Sequence, residues 1–196
     1  GTTYTIKVYV KDTNGVDSSV YTTSVETESA VLLADYIKGL YTSQGTNGLY
    51  YHTSSLANSA ADNSYRYAGA NPNNYVCFGS DANTCPSGNL YRIIGVFGSE
   101  VKLIKSTSYG EYEWNSSYYN NTWSTSSIKT TLNSTYLSLL SSTWQNKIAT
   151  HTWKVGGITS TNGASTPKTV YNYEVGSYSS STTDSMKIGL MYVSDY

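Results

Sequence analysis

The chain has 196 residues, 38% of them hydrophobic, which is enough for one ordinary domain with a core and a smaller appendage. Only 13% are charged, and the formal net charge is −1 from 12 basic and 13 acidic residues, so no field gathers phosphate backbones or anionic lipid, and nucleic acid and membrane surfaces are set aside as partners. Polarity is carried instead by 31 Ser, 26 Thr and 21 Tyr, a balance that suits exposed β-sheet and points to an extracellular setting.

No stretch of about 18 apolar residues occurs, and the opening Gly1-Thr2-Thr3-Tyr4 lacks the basic-then-apolar layout of a signal peptide. Any export signal or anchor is expected outside this stretch of sequence.

Residues Thr5 to Val10 alternate, with Ile6, Val8 and Val10 on one face and Thr5, Lys7 and Tyr9 on the other, which predicts a half-buried strand. Asp12-Thr13-Asn14-Gly15 carries an Asn-Gly turn, and Ser18 to Val25 reads as the returning strand of a hairpin. From Ser29, a plausible N-cap, the period becomes helical through Leu32, Leu33, Tyr36, Ile37, Leu40 and Tyr41. Residues Leu49 to Asn74 are rich in turn formers and read as loop.

Strands are predicted at Tyr75 to Phe78, Tyr91 to Phe97 and Val101 to Lys105, the last two joined at Gly98-Ser99-Glu100. Ser124 stands as an N-cap before a helical stripe of Ile128, Leu132, Tyr136, Leu139 and Leu140. A second short helix is placed after Ser142 by Trp144 and Ile148 at i, i+4. Thr169 to Glu174 reads as a short strand, and the apolar run Lys187 to Val193 as a buried one. The expected fold class is α+β: a mixed antiparallel sheet with two or three short helices, preceded by a β-hairpin remnant of a β-sandwich.

Gly1-Thr2-Thr3-Tyr4-Thr5-Ile6-Lys7-Val8 with Asp12, Asn14-Gly15, Ser18-Ser19 and Val25-Glu26-Thr27 resembles the last two strands of a fibronectin type III domain. The resemblance implies that Tyr4 is the corner tyrosine, its hydroxyl bonded back to nearby backbone. It also implies that residues 1–27 close a stalk domain whose earlier strands lie upstream.

Residues 28–196 form the second predicted unit. Tyr65-Arg66-Tyr67-Ala68-Gly69-Ala70-Asn71-Pro72-Asn73-Asn74-Tyr75-Val76, Leu90 to Phe97, Val101 to Lys105, Trp123-Ser124 and Lys187 to Tyr196 resemble an uncharacterised domain of Gram-positive surface proteins. The similarity runs from about Asp35 to Tyr196. It implies a C-type-lectin-like outline, akin to the formylglycine-generating enzymes, with further strands beyond Tyr196. It carries no established activity, and Cys77 and Cys85 do not map onto those enzymes' active-site cysteines.

Cys77 and Cys85, the only cysteines, flank a turn-rich segment, and an extracellular composition favours a disulfide over two reduced thiols or a metal or redox pair. His52 and His151 lie in no catalytic motif and read as surface or loop residues. Asp12 to Asp17 alternates oxygen ligands like a calcium loop but lacks the distal Glu, so a plain hairpin turn is favoured. Glu111 and Glu113 form a close acidic pair on an expected loop, where solvation is the ordinary fate of carboxylates. No catalytic residue, metal site or cofactor is assigned.

One region stands out. Tyr109, Tyr112, Trp114, Tyr118, Tyr119 and Trp123 are interleaved with Asn115, Ser116, Asn120 and Asn121. Flat apolar faces beside short polar groups are what glycan or protein recognition uses, and Tyr112, Trp114, Tyr118 and Tyr119 are the candidate ligand-binding residues. The competing reading is that Trp114 and Trp123 anchor the core while the tyrosines cover loops. Asn115, Asn120 and Asn133 also begin Asn-x-Ser/Thr glycosylation patterns, which a chain of this composition produces by chance.

Three functions are therefore carried forward. They are a non-enzymatic surface module binding a glycan or a host or matrix protein, a structural spacer of a pilus or wall-anchored array, and an enzyme acting on cell-surface polymers.

Overall fold

The structure, a computed structural model, describes residues 3–8, 11–26, 31–117, 119–158 and 166–195. Strands β1 (Thr3–Val8) and β2 (Tyr21–Glu26) form an antiparallel hairpin in which Tyr4, Ile6 and Val8 face Val25, Thr23 and Tyr21. The turn is made by Asp12, whose Oδ1 accepts the N–H groups of Asn14 and Val16 at 2.8 and 2.9 Å. That carboxylate is spent on its own turn. Ile6, Val8 and Val25 remain exposed, so the apolar face is uncovered and the strand is not half-buried as its alternation predicted. Tyr4 is exposed as well, and among the described residues its hydroxyl makes no corner hydrogen bond.

Helix α1 (Leu33–Gly39) follows, capped at Leu32 without a side-chain bond; Ser29, the expected cap, lies outside the described residues. The helix turns Ala34 and Ile37 into the core and leaves Leu33, Tyr36 and Leu40 exposed. The segment read as loop contains two short strands, β3 (Leu49–Tyr51) and β4 (Tyr65–Tyr67), which pair with one another. Three residues each are too few for a periodicity signal, and tertiary pairing decides them.

Strand β6 (Leu90–Phe97) is the centre of the main sheet. Along one edge it pairs with β7 (Glu100–Lys105). Its other edge is shared end to end by β4, at Gly95 and Val96, and β5 (Tyr75–Cys77), at Leu90 to Arg92. Ile93, Ile94 and Val96 are all buried, so both faces of β6 are covered. Gly95 is required here, because a Cβ would sit 2.4 Å from the carbonyl oxygen of Tyr65. The core over this sheet joins Ala34, Ile37, Leu49, Ile93 and Val96.

The sulfurs of Cys77 and Cys85 lie at disulfide distance, with Cα atoms 5.7 Å apart. The bridge ties the end of β5 to the turn before β6. Replacing both cysteines by serine is expected to cost about 2.5 kcal/mol in the chain-entropy model, read as a lowered denaturation midpoint. Alkylation of the native chain without reductant should leave its mass unchanged.

The second layer begins at the 3₁₀ turn Trp123–Thr125, followed by helix α2 (Ser127–Thr130). The cap is Ser126, not Ser124: its Oγ accepts the Lys129 N–H at 3.3 Å while donating to the Trp123 carbonyl. The helical stripe continues as a wider π-type turn over Thr131–Tyr136 and a 3₁₀ turn over Leu137–Leu139. Helix α3 (Ser142–Gln145) and strand β8 (His151–Lys154) come next.

Two expectations fail in the last third. Thr169 to Glu174 is not a strand but part of helix α4 (Pro167–Glu174), because Thr166 Oγ1 accepts the Thr169 N–H and Pro167 presets the first helical turn. Lys187 to Val193 is not a buried strand either: Leu190, Met191 and Val193 are exposed. The partner of β8 is instead β9 (Thr183–Met186), a polar segment in an antiparallel register of His151 with Met186. Here Trp123, Ile128 and Met186 form a second core, with Trp153 and Leu132 packed against it. The whole is α+β with antiparallel sheets and short helices, as expected.

Candidate functional site

The loop from Ser106 to Thr122 joins β7 to the Trp123 turn and carries the aromatic cluster. It is held by short polar bonds. Ser127 Oγ receives the Ser116 N–H at 3.0 Å and donates to Asn115 Oδ1 at 3.0 Å, while the Trp114 carbonyl accepts the Ile128 N–H. Asn120 accepts the Thr122 N–H and donates to Thr125 Oγ1 at 2.9 Å. The amides of Asn115 and Asn120 thus build the loop. Asn133, the third glycosylation-pattern residue, clasps both backbone groups of Ile188, at 2.8 and 3.0 Å.

On this frame the rings divide. Trp123 is 5% exposed and belongs to the core; its indole N–H has no partner among the described residues. Trp114 leans on it at 5.7 Å between ring centres yet stays 40% exposed. Tyr112 stacks on Tyr109 at 5.4 Å, and Tyr109 meets Tyr136 edge-on at 4.6 Å. Tyr119 is 91% exposed, with a left-handed backbone at φ 72°. Tyr118 lies outside the described residues. The loop therefore presents Tyr112, Trp114 and Tyr119 to solvent while Trp123 packs.

Charged groups missed by the sequence reading gather beneath the C-terminal segment. Arg66, 8% exposed, donates to Ser64 Oγ, to Asp62 at 2.6 Å and to the Ser194 carbonyl, between the rings of Phe97 and Tyr171. Burial works against the Asp62 carboxylate, yet the Ser64 hydroxyl and Arg66 hold it below the usual range. Lys102 Nζ meets Asp195 at 2.5 Å, over the ring of Tyr192. Burial lowers the Lys102 pKa against the pull of Asp195. Glu174, also buried, accepts the N–H groups of Val193 and Ser194 and the Ser194 hydroxyl.

His52 borders this cluster. Its Nδ1 accepts the Ala60 N–H at 3.2 Å, which fixes the neutral ring with the proton on Nε2. Burial, then Arg66, push its pKa down. The cavity beside it is about 60 Å³, room for a water or two but not for a substrate. These charges clamp the chain end. His151 is exposed on β8 and bonds Glu100 at 2.7 Å, and Glu111 and Glu113 are exposed on the aromatic loop. Neither the histidines nor these acids converge on a common site.

Tyrosine burial makes the fold alkali-sensitive. The Tyr136 hydroxyl, buried against Tyr91, is pushed far above the ordinary tyrosine range. Tyr192 is pushed up to about 12, by burial first and by the Asp195 and Glu174 carboxylates, against the Lys154 N–H. In the unfolded chain both ionise near pH 10. Between about pH 10 and 12 the folded state therefore binds more protons than the unfolded one. Their stabilisation is complete below pH 10 and is lost as pH rises through that window. Lys102, with a lowered folded pKa, acts in the opposite sense, but it is one group against several. Tyrosinate absorbance followed with circular dichroism should show these tyrosines ionising together with unfolding; free titration near pH 10 in an intact fold would contradict this.

Comparison with known proteins adds one match. No curated protein and no solved structure matches this chain. The model of a family described as a domain of unknown function (DUF6273) matches residues 98–186. That span runs from the β6–β7 turn to the last residue of β9 and contains the aromatic loop and the Trp123 core. Over those residues the chain is similar to an uncharacterised domain family.

Proposed function

We propose that this chain is part of a non-enzymatic, extracellular surface module of a Gram-positive bacterium, displayed on a stalk and acting by binding. Its ligand surface is the Tyr109 to Trp123 loop, through Tyr112, Trp114, Tyr118 and Tyr119. The observation that carries the reading is that Tyr112, Trp114 and Tyr119 stand exposed on a loop pinned to a buried Trp123 and to the start of α2. Rings held on a rigid base lose little freedom on binding, which favours recognition. Low charge fits a neutral glycan or a protein surface better than an anion, whose desolvation nothing would offset.

The stalk half of the reading rests on the β1–β2 hairpin, whose uncovered apolar face of Ile6, Val8 and Val25 suits the closing strands of a fibronectin type III-like sandwich. The same hairpin supports the second reading, a spacer within a pilus or wall-anchored array. The lectin-like outline belongs to the proposal on the strength of the sequence resemblance.

An array of glycans and matrix proteins, probed with the chain and with Tyr112→Ala and Tyr119→Ala, tests it. A bound class whose affinity drops at least tenfold in either variant, about 1.4 kcal/mol, supports the loop. Binding untouched by both places the site elsewhere, and no binding at all favours the spacer.

A further inference from the structure

Helix α1 carries a wider apolar stripe than its core needs. Ala34 and Ile37 are buried, but Leu33, Tyr36 and Leu40 line an open groove of about 760 Å³. Its far wall is the loop from Ala68 to Asn74, leading to Tyr75. That size is in the range of small-molecule sites.

The groove is built rather than incidental. The Ala68 N–H donates to the Gly48 carbonyl at 2.8 Å, and Asn74 is bonded on both sides to β6, through Ile93 and Arg92. Gly48 has φ +75°, and a Cβ there would lie 2.9 Å from the Pro72 Cβ, so the Thr46–Gly48 turn and the loop approach as closely as glycine permits. Arg92 sits behind Tyr75, 4.8 Å from its ring centre, and also holds the Pro72 carbonyl. The ring is thereby positioned before any ligand arrives.

Its chemistry is selective. Among the described residues no Asp, Glu, Lys, Arg or His lines the groove. Three asparagines at its rim, Asn47, Asn71 and Asn73, are exposed, and no hydrogen bond engages their side-chain amides among the described residues. This contrasts with Asn74, Asn120 and Asn133, whose amides are occupied at both oxygen and nitrogen in holding the fold. Each free amide offers a donor and an acceptor side by side, matching neighbouring hydroxyls that do both. Tyr36 and Tyr75 supply exposed aromatic surface for the apolar face of a sugar ring. The cation nearest the groove, Arg92, is engaged by the Tyr75 ring, Asn74 Oδ1 and the Pro72 carbonyl, so little offsets the cost of desolvating an anionic chain there. A proline-rich segment also lies on tyrosines, but its imide nitrogens have no hydrogen to give the amide carbonyls.

We propose that this groove binds a stretch of an uncharged polysaccharide, with sugar faces on Tyr36 and Tyr75 and hydroxyls on Asn47, Asn71 and Asn73. It is a site separate from the aromatic loop.

Calorimetric titration of the whole chain with a soluble β-glucan, a xylan and a mannan tests it, with heparin and a polyproline peptide as contrasts. The expected result is binding of at least one neutral polymer, weakened at least tenfold by Tyr36→Ala and by Asn71→Ala with Asn73→Ala, at unchanged melting temperature. Tyr21→Ala, which removes an exposed ring on β2 outside both candidate sites, should leave that binding unchanged, which shows that the loss is not one of exposed rings in general. The proposal is overturned if no neutral polymer binds, if heparin or polyproline binds more tightly, or if the groove variants bind as the parent does. Loss in Tyr112→Ala alone would likewise overturn it and assign the sugar to the loop.

Discussion

Trp123→Ala is expected to lower the stability of the fold by about 4 kcal/mol, at the large-aromatic end of core truncations. Trp123 is buried with Ile128 and Met186, and Leu132 and Trp153 close around them, so removing the indole opens a cavity that two short strands and a one-turn helix are poorly placed to refill. For a chain of this size the melting temperature should fall by roughly 8–16 °C. Trp123→Phe should cost markedly less. It keeps most of the ring volume and removes an indole N–H that has no partner, a group whose burial is itself unfavourable. A loss below about 1 kcal/mol for the alanine variant would mean that this second core does not hold the domain. The same variant should raise the mobility of Trp114, whose ring leans on Trp123, and so links core packing to the candidate ligand loop.

Lys102→Ala is the other large effect, at about 3–5 kcal/mol. The Asp195 carboxylate has 2% side-chain exposure and takes Lys102 as its cation, accepting the Tyr192 N–H besides. Removing the ammonium strands a buried negative charge. The companion variant Lys102→Met with Asp195→Asn removes both charges and should recover most of the loss. The asparagine can still accept the Tyr192 N–H, and methionine still fills the space among Phe97, Trp153 and Tyr192. Equal destabilisation by the single and double variants, measured by denaturant midpoint, would show that packing rather than charge pairing holds the C-terminal segment.

Much of the local structure was legible in the residues themselves. The β6–β7 hairpin followed from two apolar β-branched runs around Gly98-Ser99, the β1–β2 hairpin from Asn14-Gly15, and α1 from the spacing of Leu33, Tyr36, Ile37 and Leu40. The cysteine pair followed from its exclusivity. In each case the signal lies within a few residues, and backbone propensity and turn chemistry act at that range. The aromatic loop was legible as a cluster, but its division was not. Nothing within Tyr109 to Trp123 distinguishes the buried Trp123 from the half-exposed Trp114; Ile128 and Met186, arriving from elsewhere, make the choice.

Helix capping that the strand reading passed over, together with tertiary contacts, decided the rest. Thr169, Val170, Tyr171 and Tyr173 favour a strand by propensity, a preference of at most about 1 kcal/mol, and the Thr166–Pro167 cap with the Glu174 anchorage outweighed it. β9 has no apolar alternation and is a strand because β8 offers it a ladder of backbone partners, with Met186 reaching the Trp123 core. Lys102 and Asp195 lie 93 residues apart, and Tyr36 and Asn71 belong to a helix and a loop that share a groove only once β6 has aligned them. Composition and local pattern determined a charge-poor, hydroxyl-rich α+β chain with its hairpins and its disulfide. Which apolar face is covered, and which amides remain free, depends on contacts distant in sequence, whose energies exceed any local preference.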